Sequence, residues 1–510
     1  MQISKLLKFC PKTLALLLGG ISVAALPPYY ILPVVFLCFG GLLLLLCFNP
    51  APKTAFATGY WFGFGHFGIG FSWAANALLV DSQTYGWLYP VCILSAGAFF
   101  GLFTALPALL TAWFRTPVSK LFALVGLWTA SEWLRSFVLT GFPWNLLGSA
   151  LTFRPEYFQT VSLWGTYGLT LVLLLWSMAP ALFFFPGQKY CRTVAVSLLI
   201  ALPVFVAGFG YARINILNPG FVRPGITVRM VQPSIPQGIK WDNAAIEDNF
   251  ARHIRLGSAP GLENVDFVIW GETASPFPLD MDTRHRQQIL ESVPPQGYLL
   301  TGLVRVQTSP YGRLVPYNSM MIIDKRGEIA DYYDKAHLVP FGEYIPLRRY
   351  LPDWIKPITN TVSNFEPGPG PRTLNIGNYP PFGVLICYEI IFPAQITDRT
   401  DRPQWLINLT NDAWYGDSAG PRQHLIAARL RAAEEGLTIV RVAGSGISAA
   451  IDPLGRILGQ IPLNRSAILD VALPGKLSTI TFYGNYGNFV PIFLMLLNIM
   501  LAIYLSLRKF

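Results

Sequence analysis

Long uncharged stretches constrain the fold of this chain more than any other feature. No Asp, Glu, Lys or Arg occurs between residues 13 and 52. The other uncharged runs are 54–80, 82–114, 157–188, 193–212 and 477–507. Because a helix needs about 20 mainly apolar residues to cross a bilayer, we expect about eight membrane spans. They are 11–26, 29–49, 56–79, 88–114, 121–138, 161–186, 193–212 and 487–507.

Charged side chains are concentrated in one segment of the 510 residues. Residues 213–476 contain 26 basic and 25 acidic side chains, whereas the rest of the chain contains 12 and 3. This contrast predicts a polytopic α-helical membrane domain at 1–212 with seven spans, a soluble domain at 213–476, and a linker with the last span at 477–510. The net charge of +10 lies between apolar segments and not on a folded face. We therefore exclude nucleic acid as a partner.

The basic residues also predict an orientation, because Lys and Arg in short loops favour the cytoplasmic side of a membrane. With a cytoplasmic N-terminus, ten of the twelve basic residues outside 213–476 fall in inner loops. They are Lys5, Lys8, Lys12, Lys53, Arg115, Lys120, Lys189, Arg192, Arg508 and Lys509. We therefore expect both termini in the cytoplasm and residues 213–476 on the extracytoplasmic side.

The soluble segment contains a single cysteine, Cys387, while the other five cysteines lie in or beside the apolar runs. An internal disulfide in this segment is therefore excluded. A lone thiol that faces an oxidising compartment invites a functional explanation. A buried cysteine that acts as a small hydrophobe is equally common, so the cysteine alone leaves both interpretations open.

Short runs rich in Val, Ile and Leu alternate with helical spacing in the soluble segment. The expected strands are 226–231, 265–270, 299–306, 319–323, 382–386, 405–409 and 438–442. The expected helices are 243–256, 284–292 and 423–435. Interleaved strands and helices indicate an α/β sandwich with sheets inside and helices outside. The five histidines are scattered along the chain, which argues against a zinc site.

Three places in the soluble segment contain residues suited to catalysis. Glu272 follows one predicted strand, and Cys387 ends another. Lys335 and Glu343 lie together in a turn-rich stretch. The ends of strands in an α/β sheet present reactive groups to a cleft. Each residue taken alone also has a structural interpretation, since a glutamate at a strand end can cap a helix and most lysines lie on the surface.

The sequence around these residues resembles the nitrilase, or carbon–nitrogen hydrolase, superfamily. The matching stretches are Val-Gln-Pro-Ser-Ile-Pro-Gln at 231–237 with Lys240 and Trp241, Gly-Glu-Thr at 271–273, Tyr-Asp-Lys-Ala-His-Leu-Val-Pro-Phe-Gly-Glu at 333–343, and Cys-Tyr-Glu at 387–389. Residues 408–414 and 131–144 also match. Together with the membrane spans, the resemblance narrows to the bacterial apolipoprotein N-acyltransferases and covers essentially the whole chain.

This resemblance implies a nitrilase-like αββα sandwich in which Glu272 is the general base, Lys335 stabilises charge and Cys387 is the nucleophile. It also implies supporting roles for Trp241, Glu343, Tyr388 and Glu389. The implied reaction moves a fatty acyl chain from a membrane phospholipid to the N-terminal amine of a diacylglyceryl-cysteine lipoprotein, through a cysteine thioester. We expect a monomer in the bacterial inner membrane, and this scheme requires no metal or organic cofactor.

Two further features carry weaker hypotheses. Residues 341–358 mix aromatic and basic side chains, including Tyr350 and Trp354, which suits a membrane interface. They are a candidate mobile lid, and the alternative is an ordinary packed loop. Glu132 and Arg135 lie three apart on one helix face, where they form either a structural ion pair or a phospholipid-headgroup site.

Two other functions remain open from the sequence. A membrane-tethered amidase would use the same three residues, although seven preceding spans exceed what a tether needs. A lipid transporter or lipid-binding module would carry an inactive soluble domain, and the complete set of Glu272, Lys335 and Cys387 argues against that.

Overall fold

The computed structural model describes residue 7 and residues 10–185, 187, 189–217, 222–309, 312, 314–350 and 364–508. The chain forms two compact units. One consists of Met1–Leu217 with Thr481–Phe510, and the other of Asn218–Ile480.

The first unit is helical. Its N-terminal helices are α1 Pro11–Ser22, α2 Val34–Phe48, α3 Pro52–Gly70, α4 Ser82–Tyr85, α5 Tyr89–Thr111, α6 Pro117–Leu134, α7 Pro155–Phe158, α8 Val161–Met178 and α9 Lys189–Ile216. Proline starts α1, α3 and α6, because its missing N–H would have no intrahelical partner in the first turn. Thr116 adds a capping box with Ser119 at the start of α6, which satisfies further first-turn donors.

The second unit contains two six-stranded sheets. Its elements are β1 Val222–Gln232, α10 Ile246–Gly257, β2 Phe267–Trp270, α11 Thr283–Gln288, β3 Tyr298–Thr308, β4 Leu314–Asp324, β5 Ile329–Asp334, β6 Thr373–Leu374, β7 Phe382–Ile386, β8 Trp405–Thr410, α12 Ala419–Glu435, β9 Thr438–Ala443, β10 Ser448–Ile451, β11 Ile457–Ile461 and β12 Ala467–Pro474. The strand orders are β12-β1-β2-β3-β4-β5 and β11-β10-β9-β8-β7-β6. The central pairs β1–β2, β2–β3, β7–β8 and β8–β9 are parallel.

The alternation of side chains in β2 shows how the sheets pack. Phe267 and Ile269 point into a core shared with β7, β8 and β9 of the other sheet. Val268 and Trp270 point the opposite way and pack with Phe250 of α10. Since α12 packs on β9 and β10, helices cover the outside of both sheets. This arrangement confirms the αββα sandwich expected from the sequence.

The chain returns to the helical unit through α13 Phe482–Tyr486 and α14 Phe489–Leu507. In the described residues, four stretches are long and apolar enough to cross a membrane: Ser82–Thr111, Val161–Phe184, Tyr190–Ile216 and Phe489–Leu507. Pro11–Ala25 and Val34–Phe48 are apolar but shorter. The other two expected spans, 56–79 and 121–138, only overlap with α3 and α6. The structure thus supports four spans clearly, and the expected count of eight stays a prediction.

Glycine explains why α3 is less apolar than a usual membrane helix. A Cβ at Gly59 would collide with Ala108 of α5 and with the Thr104 carbonyl oxygen. The Thr104 hydroxyl instead donates a hydrogen bond of 2.7 Å to the Gly59 carbonyl oxygen. Small residues of this kind let helices approach closely where lipid supplies no hydrophobic driving force between them. The glycines of α3 therefore serve helix packing at the expense of hydropathy.

We predict that Gly59→Ala lowers the thermal unfolding midpoint of the purified protein, because α3 and α5 must separate to admit the new methyl group. Gly68→Ala is the matched control in the same helix, since its Cβ would meet nothing closer than the Ile93 carbonyl oxygen at 3.7 Å. The control should be neutral or slightly stabilising, because alanine favours a helix by about 1 kcal/mol over glycine. Equal midpoints for the two variants would contradict this packing.

Candidate active site

Three turns at strand ends bring the expected catalytic side chains together. Glu272 lies two residues after β2, Lys335 directly follows β5 and Cys387 directly follows β7. All three are buried, with 8%, 1% and 7% of their surface exposed. The Lys335 Nζ lies 3.7 Å from the Glu272 Oε1, and the charges of both side chains act on the Cys387 thiol.

Asn318 and Glu343 fix the positions of the Lys335 and Glu272 side chains. The Lys335 ammonium lies 2.9 Å from the Glu343 carboxylate. The Asn318 Nδ2 donates to the Glu272 Oε1 and to the Glu343 Oε1, at 2.8 Å each. Burial alone would lower the pKa of Lys335, but Glu343 and Glu272 together raise it well above its usual range. The result is a permanently charged ammonium between two carboxylates.

Cys387 sits on a sharp turn between β7 and the short helix Cys387–Ile391. Its φ of +51° lies in the left-handed region, which few residues other than glycine adopt. Strained backbone of this kind concentrates at active sites and persists only where the surroundings enforce it. Burial and the Glu272 charge raise the pKa of the Cys387 thiol, and Lys335 opposes them. The resting thiol is therefore neutral and requires a base in order to react.

His424 and Asp412 form a buried polar network behind the nucleophile. The His424 Nε2 donates to the Cys387 carbonyl oxygen at 3.1 Å, and its Nδ1 lies 2.8 Å from the Asp412 Oδ1. The Asp412 Oδ2 pairs with Arg441 at 2.5 Å. Burial would raise the pKa of Asp412, but His424 and Arg441 lower it to about 2. The network therefore fixes the turn that carries Cys387.

Candidate metal ligands meet at the same place. Ligand atoms of Cys387, Asp412 and His424 lie within 4.8 Å of one another. The contacts above, however, engage both ring nitrogens of His424 and both carboxylate oxygens of Asp412. An ion would have to displace these bonds, so the donor set does not fit a resident metal and we derive no step through one.

Glu389 ties the Cys387 turn to the Lys335 loop. Its Oε2 accepts a hydrogen bond of 2.7 Å from the Ile386 N–H. Its Oε1 accepts bonds of 2.9 Å from the Tyr333 hydroxyl, 2.8 Å from the Ala336 N–H and 3.1 Å from the His337 N–H. One carboxylate thus sets the distance between two of the three candidate catalytic groups.

Comparisons with known proteins give family matches in both halves of the chain. The family models "Apolipoprotein N-acyltransferase N-terminal domain" and "Carbon-nitrogen hydrolase" match residues 18–179 and 227–480. An apolipoprotein N-acyltransferase of Rhodopseudomonas palustris is 38% identical, over 97% of this chain and 95% of its own. The chain belongs to the apolipoprotein N-acyltransferase family.

Other similarities extend this comparison. An apolipoprotein N-acyltransferase of Rickettsia prowazekii is 34% identical over 97% of this chain and 98% of its own. A solved nitrilase-superfamily amidase of Nesterenkonia aligns with 50% of this chain and 94% of its own, at 17% identity and a TM-score of 0.36. The near-complete coverage of the named relatives makes this chain an acyltransferase with a nitrilase-like domain.

The other expected site residues of this acyltransferase differ in how deeply they are buried. Tyr388 is buried, and its ring centroid lies 5.1 Å from that of Phe392. Trp241 is half-buried, with the Lys240 Nζ 5.8 Å from its ring centroid. In the candidate lid, Tyr350 is 68% exposed, and Trp354 lies outside the described residues.

Glu132 and Arg135 are both buried in the helical unit. The Glu132 carboxylate accepts bonds from the Leu147 N–H at 3.0 Å and from the Thr170 hydroxyl at 2.8 Å. The Arg135 guanidinium donates to the Trp144 carbonyl oxygen at 2.6 Å. These contacts fasten the segment after α6, which favours a structural role over a headgroup site.

Sequence reasoning missed several polar residues of the site. Asn318 stands inside β4 without any motif, and His424 counted only as one of five scattered histidines. Asp412 lay within the matching stretch 408–414 but received no role. The missed residues bond to backbone or to other side chains, so a pattern of residue types gives little signal for them.

We predict that Glu389→Gln lowers the free energy of unfolding by about 1–3 kcal/mol, and with it the thermal unfolding midpoint. An amide NH2 must replace an oxygen that now accepts a hydrogen bond. Thermal unfolding of the purified enzyme measures the effect. The exposed Glu328 supplies the control, Glu328→Gln, which should stay near the wild-type midpoint. A Glu389→Gln midpoint equal to that of the control would show that Glu389 does not hold the two turns.

Proposed function

We propose that this enzyme transfers a fatty acyl chain from a membrane phospholipid to the N-terminal amine of a diacylglyceryl-cysteine lipoprotein, through a thioester on Cys387. Family membership supports lipoprotein N-acylation, since the relatives carry that name. The observation that carries the mechanism is the Lys335 ammonium, held 3.7 Å from Glu272 and acting on the buried Cys387 thiol.

In the first half-reaction, Glu272 takes the thiol proton as the sulfur attacks an ester carbonyl of the phospholipid. A carbon–sulfur bond forms, and the carbonyl oxygen becomes negative. The ester carbon–oxygen bond then breaks, and Glu272 returns the proton to the departing oxygen. The products are a lysophospholipid and an acyl thioester on Cys387. A carboxylate base suits this step because the resting thiol is neutral.

The oxyanion of that step needs positive charge and N–H donors that are already in place. Lys335 supplies a fixed ammonium, because two carboxylates keep it protonated and Glu343 fixes its position. The backbone N–H of Tyr388, at the start of the short helix after Cys387, is a candidate second donor. Glu343 and Glu389 act as supporting groups, and so do Trp241 and Tyr388.

In the second half-reaction, the α-amine of the lipoprotein attacks the thioester carbonyl. Glu272 accepts a proton from the amine, the carbon–sulfur bond breaks and the thiolate regains the proton. The products are an N-acylated lipoprotein and free enzyme. Every electron pair and proton is accounted for by the two substrates and the three side chains.

Substrates that are anchored in the membrane would explain why the catalytic domain is joined to membrane helices. We propose the bacterial inner membrane as the location, the domain limits 1–212, 213–476 and 477–510, and an extracytoplasmic catalytic domain. One chain supplies Glu272, Lys335 and Cys387, so we also propose a monomer.

Exposed apolar side chains near the site, Phe341 at 51% and Leu347 at 59%, support a lid over 341–358. This lid would admit acyl chains and includes Tyr350 and Trp354.

Transfer of an acyl label tests the function. With labelled phospholipid and a diacylated lipopeptide, the wild type should move the label to the peptide amine, and Cys387→Ala and Glu272→Gln should abolish transfer. Lys335→Met should lower the rate by about 10²–10³, the usual cost of losing an oxyanion donor. The exposed Cys10 provides the control Cys10→Ala, which should transfer normally. Label released only as free fatty acid would instead identify a hydrolase.

The proposed orientation has a separate test. A reporter active only outside the cytoplasm should work when it is inserted near Asn218 and fail when it is fused after Phe510, because Lys and Arg retain the short loops inside. The reverse pattern of reporter activity would overturn the orientation and leave the chemistry untouched.

A further inference from the structure

A second lysine contacts the turn that carries Glu272. Lys240 follows the short helix Gln237–Ile239. Its Nζ donates a hydrogen bond of 3.1 Å to the Glu272 carbonyl oxygen and one of 2.7 Å to the Thr273 hydroxyl. Lys240 is half-buried, and desolvation acts on its ammonium. The mechanism above gives this ammonium no task.

The turn that Lys240 holds is strained. Thr273 has a φ of +46°, a conformation that is a genuine outlier for a β-branched residue. The same turn leaves no space beside β3, where a Cβ at Gly302 would collide with Gly271 and Glu272. Strained turns persist only where neighbouring groups enforce them. Bonds from one ammonium to two consecutive residues are such an enforcement.

The charge of Lys240 also acts on the reacting groups. Burial lowers the pKa of Lys240 to about 8, although the charges of Glu272 and Cys387 raise it in part. Burial of the His253 ring is the larger cause of its lowered pKa, and the charge of Lys240 lowers that pKa further. Lys240 is therefore a cation below about pH 8 and loses this charge as the pH rises through that value. A nearby cation stabilises a thiolate.

We propose that Lys240 is a positioning residue for acyl-enzyme formation, whose ammonium fixes the backbone turn that presents Glu272 and adds a second positive charge to the site. This role deepens the proposed function and rests on it. It assigns two tasks to one side chain, a geometric one through Thr273 and an electrostatic one through the thiolate.

Alkylation of Cys387 by iodoacetamide tests both tasks without any lipid. The purified full-length protein is alkylated between about pH 6 and 9, a range that includes the pH near 8 at which Lys240 loses its charge, and the Cys387 peptide is quantified by mass spectrometry. Lys240→Met should slow alkylation about tenfold at neutral pH, the effect of one pKa unit. The deficit should shrink above about pH 8, where the wild type also loses the charge. Lys240→Arg should restore most of the rate and keep it at higher pH.

Lys325 offers a matched control in the same domain. Its Nζ bonds to the carbonyl oxygens of Leu290 at 3.0 Å and Val293 at 3.2 Å. Lys325→Met should therefore leave the alkylation profile unchanged. Thr273→Val isolates the geometric task and keeps the charge. It should slow alkylation roughly two- to threefold without changing the shape of the pH profile, because the bond from Lys240 to the Glu272 carbonyl oxygen still holds the turn.

The outcomes separate this inference from the proposed function. The positioning role would be overturned if Lys240→Met reacted at the wild-type rate at every pH. A rate deficit that is the same at every pH and is not restored by Lys240→Arg would also overturn it. If Lys240→Met does not fold, Thr273→Val decides, and an unchanged rate in that variant would overturn it. Label transfer by the wild type is a separate measurement, so its failure would reject the function and leave the alkylation result standing.

Discussion

The buried Lys335 ammonium is the interaction on which the rest of the site depends. A buried charge is tolerated only when it is paired and hydrogen-bonded. Here Glu343 lies 2.9 Å from the ammonium and Glu272 lies 3.7 Å away, while Asn318 bridges the two carboxylates. Removing any one member leaves the others buried without compensation. The same contacts hold the Glu272 carboxyl group in place as the candidate base, which connects the stability of the site with its chemistry.

The sandwich places this charge cluster between two strained turns. Thr273 and Cys387 both have positive φ values, +46° and +51°. The Glu272 carbonyl oxygen, directly before Thr273, accepts a hydrogen bond from the Lys240 ammonium. The Cys387 carbonyl oxygen accepts one from the His424 ring. The two sheets thus present the base and the nucleophile at strand ends. Side-chain donors stabilise two turns with positive φ values that glycine would adopt without strain.

Sequence reasoning predicted the αββα sandwich and the positions of the three central residues at strand ends because both leave local signals. Strands such as β7, at 382–386, are continuous apolar runs with turn residues beside them. The strands β5, β6, β11 and β12 escaped prediction because they lie at sheet edges, where the pattern is weak. The buried strand β10 escaped because it has only four residues. Asn318 and His424 escaped because their partners are distant in sequence. The α3 span stays a prediction because close packing puts glycine where larger apolar side chains would raise the hydropathy.

Mass spectrometry of Cys387 tests the central claim most directly. The enzyme is incubated with phospholipid but no acceptor, under conditions that keep water from the thioester. The account predicts one acyl chain on the Cys387 peptide, removable by hydroxylamine as a thioester and lost when diacylated lipopeptide is added. Acylated lipopeptide that forms without any adduct on Cys387, and that still forms with Cys387→Ala, would contradict it and indicate direct transfer from ester to amine.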